Sequence, residues 1–176
     1  VVDDYDFQIS HIIRGDDHLT NTVKQCTIYS SLEWNIPIFC HLPLIHSEIG
    51  KKLSKRDGKF GLNDFIEEGY DSNSIFNYLL RLGWSHSDKE LFSIDEAISL
   101  FNLESIGKSP SRIDNKKIKN ISKYHFQNKD DKKLLKEVSF FSEKFFKKKL
   151  DVKSLNKLEI AIPFLKLNSS TYKEIL

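Results

Sequence analysis

The chain has 176 residues, 39% hydrophobic and 30% charged, with a formal net charge of +2. Such a composition fits a globular protein of one or two domains. No apolar run approaches the ~20 residues of a membrane span and no segment has the form of a secretory signal, so a cytoplasmic protein without membrane contact is expected.

The first predicted strand is Ile9–Ile13. It ends in Arg14-Gly15-Asp16-Asp17-His18 and feeds a helix from Leu19 to Leu32, with Val23, Cys26, Tyr29 and Leu32 on its apolar face. Strand ends in open α/β sheets are where ligands bind. Arg14 suits a carboxylate there, because its planar fork can pair with two oxygens. An ion pair with Asp4, Asp16 or Asp17 is the structural alternative for Arg14. Asp16 and Asp17 also read as helix-start carboxylates that meet free amides and the dipole, and Asp17 equally as a ligand group.

Residues Ile36–Ile45 read as a buried strand that runs into a basic loop. Residues 51–58 of that loop hold four cations, Lys51, Lys52, Lys55 and Arg56, together with Ser54 and Gly58. Phosphoryl and nucleotidyl transfer need charge aimed at the oxygens that become more negative. Lys55 can stabilise a leaving pyrophosphate and Ser54 can donate to a phosphate oxygen. The loop therefore names a nucleoside triphosphate as ligand class, against the plainer reading of a solvated turn.

Helices with clear punctuation follow. One spans Asn63–Glu68 and stops at Gly69. Ser72 caps the next, which carries Ile75, Tyr78, Leu79 and Leu82 and ends at Gly83. Ser93-Ile94-Asp95-Glu96 is a capping box opening a helix with Ala97, Ile98 and Phe101 as its apolar residues. Asp114 caps another, through Lys123. Asp130 or Asp131 starts a helix burying Leu134, Leu135, Val138 and Phe141, and Ser154 starts one burying Leu155, Leu158 and Ile162. Trp84 fills a junction between the helical part and the strands. Phe140, Phe141, Phe145 and Phe146 read as core. The lysine groups 116, 117, 119 and 144, 147, 148, 149 read first as solvated helix faces and second as phosphate contacts. Cys26 and Cys40 lack zinc-like spacing, so no protein-bound zinc is expected in this segment.

His11 to Thr22, His41 to Ile45 and Lys52 to Arg56, followed by Asn77 to Ser85 and Ser109 to Asp114, resemble bacterial glutamyl-tRNA synthetase. That family is a class I aminoacyl-tRNA synthetase, and the likeness covers about the first 125 residues. The resemblance implies an α/β fold class: the second half of a Rossmann-like nucleotide-binding fold over 1–60 with a KMSKS-type loop. A helical stem-contact region over 61–125 and the start of a helical anticodon-binding region over 126–176 would follow. It implies that Arg14 pairs with a glutamate carboxylate, with Asp17 and His18 in the same pocket. The backbone at Leu44 and Ile45 would meet adenine. Lys55 would contact the triphosphate, with Lys52, Ser54 and Arg56 beside it.

The implied substrates are ATP with its Mg2+, glutamate and tRNA(Glu), in a monomeric parent enzyme. The glutamate carboxylate attacks the α-phosphorus of ATP, giving glutamyl-adenylate and pyrophosphate. A ribose hydroxyl at the tRNA 3′ end then takes the glutamyl group. In this family the first step requires bound tRNA.

Three departures stand out. Ser47-Glu48-Ile49-Gly50 replaces the usual Pro-Asp-Gly or Pro-Asn-Gly turn, and Asp57 stands where His is frequent. The family's first signature, His-x-Gly-His, occurs nowhere in the 176 residues, which also contain no methionine. The expectation is a piece of a longer ligase that forms no adenylate alone. Two other readings stay open. One is a non-catalytic remnant or tRNA-binding module. The other is a related ligase, such as glutaminyl-tRNA synthetase or a shortened enzyme that glutamylates a modified base.

Overall fold

The computed structural model describes residues 1–51 and 61–176. A short helix, α1 (Val2–Asp6), precedes β1 (His11–Gly15). β1 pairs in parallel with β2 (Ile38–Leu42), His11 opposite Ile38 and Arg14 opposite His41. Parallel neighbours need a crossover. Here it is a 3-10 turn at Asp16–His18 followed by α2 (Leu19–Ser31). The strand lies two residues later than Ile9–Ile13, so Arg14 and Gly15 belong to it. α2 has nearly the expected bounds, but its apolar face is mostly uncovered: Tyr29 is buried, while Val23 and Leu32 face solvent. A sheet with two strands among the described residues is too narrow to cover that face.

The single strand expected over Ile36–Ile45 is split. Pro43 has no amide hydrogen to donate. β2 stops before it, and β3 (Ile45–His46) pairs in parallel with the distant β4 (Ser111–Arg112). Nor is the strand fully buried, since Ile38 is exposed.

α3 (Leu62–Glu68) ends at Gly69, whose φ of +93° is a left-handed stop. α4 (Ser72–Gly83) is capped by Asp71 rather than Ser72: Asp71 Oδ1 accepts the Ser74 amide at 3.1 Å. α5 (Ile94–Leu100) opens on the expected capping box, with Ser93 Oγ accepting the Glu96 amide at 3.2 Å and Glu96 Oε2 accepting the Ser93 amide at 3.0 Å. α6 (Asn115–Gln127) is capped by Asp114 and runs a turn beyond Lys123. Asp130 caps α7 (Asp131–Phe146). Asp151, not Ser154, caps α8 (Val152–Leu165), because Ser154 stands three residues in and gives its amide to that carboxylate at 2.7 Å. α9 (Tyr172–Ile175) ends the chain.

Three apolar clusters hold these helices. Tyr70, Ile75, Tyr78, Ile118 and Ile121 join α4 to α6. Phe126, Leu134, Val138, Ile162 and Ile175 join the end of α6 to α7, α8 and α9. Trp84, Phe92, Ala97 and Ile106 form the third, and Cys40 and Leu42 of β2 pack against it. Trp84 thus sits where strands meet helices. Several side chains read as core or apolar-face residues are exposed: Leu79 on α4, Ile98 on α5, Phe101 after it, and Phe140 and Phe146 on α7. Phe141 is buried. Their exposure follows from which neighbours exist, which a helical spacing does not encode. No described helix is long and apolar enough to cross a membrane.

Candidate ligand site at the strand ends

β1 carries Arg14 to the side of the sheet that faces α2. Its Nη2 donates to Thr22 Oγ1 at 2.6 Å and to Gln25 Oε1 at 2.7 Å, with a longer contact to the His18 carbonyl at 3.5 Å. Its guanidinium lies over the Phe39 ring, 5.2 Å from the centroid. Thr22 Oγ1 is also 2.8 Å from His41 Nε2, so the residue opposite Arg14 on β2 closes the network. These contacts fix the plane of the guanidinium without neutralising its charge. Arg14 Nε is buried and has no hydrogen-bond partner among the described residues. A buried, unsatisfied donor costs about 1–3 kcal/mol, more when charged.

Arg14 forms no ion pair with Asp4, Asp16 or Asp17; its polar contacts within the described residues are those just given. Neither the 3-10 turn nor α2 has a side-chain cap, so the aspartates cap no amide, but both stand in the first turn of the 3-10 helix as the dipole reading expects. Asp17 instead folds against Gly15. A Cβ at residue 15 would lie 2.5 Å from Asp17 Oδ1, so the glycine makes room for that carboxylate. His18 is exposed, with Nδ1 3.3 Å from Asn21 Nδ2.

The structure treats Leu44 and Ile45 differently. The Leu44 carbonyl accepts the Ser111 amide at 3.1 Å, and the His46 carbonyl accepts the Ile113 amide at 2.9 Å. Alternate residues of a strand turn to opposite edges, so the amide and carbonyl of Ile45 face away from β4. Beyond β3 a turn closes, with the Gly50 amide on the Ser47 carbonyl at 2.9 Å and the Ser47 amide on the Lys51 carbonyl at 2.7 Å. Gly50 has φ +82°, and the Arg112 guanidinium carbon is 3.6 Å from where its Cβ would sit. Arg112 therefore supplies a cation at the foot of the basic segment. Lys52, Ser54, Lys55 and Arg56 lie outside the described residues, as do Asp57 and Gly58. Among the described residues no group of three or more His, Cys, Asp or Glu side chains could hold a metal ion.

Sequence reasoning missed Thr22, Gln25, Phe39, His41 and Arg112. A signal for the first two existed: positions 18, 22 and 25 form a polar stripe on one face of α2. His41 and Arg112 depend on strand register, which the sequence leaves open.

A parallel strand–helix–strand unit with a charged, unsatisfied arginine at its strand ends belongs to the ligand-binding α/β class. The particular family follows from comparison. Residues 1–120 match the family model of tRNA synthetases class I (E and Q), catalytic domain, and the chain belongs to that family. It is 44% identical to glutamate–tRNA ligase 2 of Paracoccus denitrificans, over all of this chain and 38% of that protein. It is 47% identical to glutamate–tRNA ligase 2 of Parvibaculum lavamentivorans, over 99% of this chain and 36% of that one. A crystal structure of a glutamate tRNA ligase from Elizabethkingia meningosepticum in complex with its amino acid superposes with TM-score 0.80 at 30% identity. The match covers 99% of this chain and 38% of that protein. The chain thus spans little more than a third of the length of the relatives it matches.

Proposed function

We propose that this chain is the part of a glutamate–tRNA ligase that holds the amino acid and the adenine edge and carries helices for the tRNA. The observation that carries the reading is Arg14: a half-buried cation at a strand end, oriented by Thr22 and Gln25 and with no acidic partner among the described residues. A carboxylate is the ligand that neutralises the guanidinium, whose contacts are all to uncharged oxygens. Asp17 and His18, on the adjoining turn, are placed to meet the ammonium and the rim of the same amino acid.

Ile45 turns its amide and carbonyl away from β4, towards where the edge of a base would lie, and Leu44 sets the strand through its bond to Ser111. Lys55 neutralises the triphosphate, with Lys52, Ser54 and Arg56 around it. Mg2+ travels on the phosphates, which with water supply most of its ligands. The reaction is attack of the glutamate carboxylate on the α-phosphorus of ATP with loss of pyrophosphate. Transfer of the glutamyl group to the 3′ ribose of tRNA(Glu) follows. The parent enzyme is read as a cytoplasmic monomer.

The test uses a full-length ligase containing this chain. Arg14→Lys raises the glutamate KM by about tenfold or more, the worth of a lost charged hydrogen bond, and leaves the ATP KM in place. Lys55→Ala lowers the rate of adenylate formation with little change in glutamate KM. An unaltered glutamate dependence in the first variant removes Arg14 from the pocket. Dependence on glutamine in place of glutamate selects the Q branch of the family. The 176 residues alone support no tRNA-dependent ATP–pyrophosphate exchange, while retaining affinity for tRNA(Glu). Exchange above background from the purified chain would overturn that statement.

A further inference from the structure

α6 serves both helical cores, with Ile118 and Ile121 in one and Phe126 in the other. α4 packs along its first half, and α7 to α9 gather at its end. Between α4 and α7 a cavity of about 730 Å3 remains, with Ile75, Leu79, Phe140, Phe145, Glu137 and Tyr172 among its walls. Apolar packing does not close the two groups of helices on that side.

An ionic hub does. Lys129, in the turn between α6 and α7, is buried, and its Nζ lies 2.6 Å from Asp71 Oδ2 and 2.6 Å from Glu137 Oε2. Asp71 is the cap of α4, fully buried, and accepts from both the amide and the hydroxyl of Ser74. Glu137, midway along α7, also accepts the Tyr172 hydroxyl at 2.8 Å. The Lys129 carbonyl takes a bond from Lys166 Nζ at 2.9 Å, and Lys166 pairs with Asp131 at 2.6 Å. One ammonium therefore joins the start of α4, the body of α7 and, through Tyr172, α9. Buried ion pairs gain little over apolar groups of equal volume. They demand fixed geometry, however, whereas apolar faces beside a cavity can slide.

We propose that Lys129 is a positioning residue. By holding Asp71 and Glu137 on one ammonium it sets how far α7 to α9 stand from α4. It thereby fixes the spacing between exposed lysines 116 and 119 of α6 and those at 144, 147 and 148 around the end of α7, for one rigid polyanion. That the polyanion is a tRNA rests on the function proposed above; the spacing does not.

Spin labels at Ile98 of α5 and Ile160 of α8, both exposed, read the spacing without RNA in a chain carrying Cys26→Ser and Cys40→Ser. The expected result is one narrow distance distribution. It broadens or moves in the triple variant Lys129→Met, Asp71→Asn, Glu137→Gln, whose melting curve reports that it is folded. Glu137→Gln alone leaves Lys129 paired with Asp71 and serves where the triple variant does not fold; it shifts the distribution in the same sense. Lys129→Arg, with the charge kept, returns a single distribution. An unchanged distribution in a folded variant overturns the proposal. In filter binding at fixed salt, a tRNA(Glu) transcript binds the triple variant about 2- to 30-fold more weakly, the range for coupling through residues that touch no ligand. Absence of tRNA binding by the unmodified chain would defeat the functional reading and leave the distance result standing.

Discussion

The front of the molecule and its helical remainder solve burial in opposite ways. In residues 1–46 two parallel strands and α2 form an open unit. Phe7 is 78% exposed and Val23 68%, and Tyr29 is the large side chain fully covered there. In residues 61–176 each helix has a cap and a share in a closed cluster, and Ile118, Phe126, Leu134, Val138 and Ile162 have no exposure at all. The α/β unit meets the helices where Cys40 and Leu42 pack against the Trp84 cluster and where β3 pairs with β4.

The hardest blow to this contrast is Trp84→Ala, which removes the block shared by both regions. It should cost about 3–5 kcal/mol in urea unfolding followed by circular dichroism. Amide exchange should accelerate first in β1 and β2. Equal acceleration in α7 and α8 would mean that the regions are one cooperative unit. Next in size, Asp114→Ala removes the cap of α6, whose carboxylate accepts the Lys116 and Lys117 amides at 2.8 and 3.0 Å. A loss of about 0.5–2 kcal/mol is expected, confined to the helical transition.

A smaller effect comes from pH. Burial, opposed by Asp71 and aided by Lys129, holds the His125 imidazole below its usual 6.5. The unfolded chain binds that proton more readily, so the contribution of His125 is full above pH 6.5 and fades as pH falls through the lower folded value. The melting temperature should drop from pH 7 towards pH 5, and His125→Gln should flatten that part of the curve. A curve unchanged by the substitution would assign the slope to other groups. Smallest of all, Val23→Lys on the uncovered face of α2 should change stability by no more than about 0.5 kcal/mol. A large loss would show that this face is packed in solution.

Local signals were legible in the sequence wherever one residue acts on its near neighbours. The capping box at Ser93, the stop at Gly69 and the cap at Asp114 all stand where expected. Ser72 and Ser154 read as caps in place of Asp71 and Asp151 because a serine hydroxyl and an aspartate carboxylate can each accept a first-turn amide, and only the three-dimensional path of the chain decides between them. The pairing of β3 with β4 had no local trace, as neither strand is long enough to show a period. In the candidate site Arg14 was legible as a charged group at a strand end. The shell that orients it, Thr22, Gln25 and His41, needed the register of two strands and the side of the helix that meets them. Phe140 failed as a core residue for a similar reason, since its spacing is helical but its neighbours stand across a cavity.

The short union of Ile45 with Ser111 bears on the order of assembly. All of α3, α4 and α5 lies between the two strands in the chain. During synthesis, which proceeds from the front, β3 emerges without its partner and acquires it only after those three helices have been made. The ribbon that leads into the basic segment is thus set in place by a later piece of chain, the same piece that brings Ile118 and Ile121 of α6 to the core of α4.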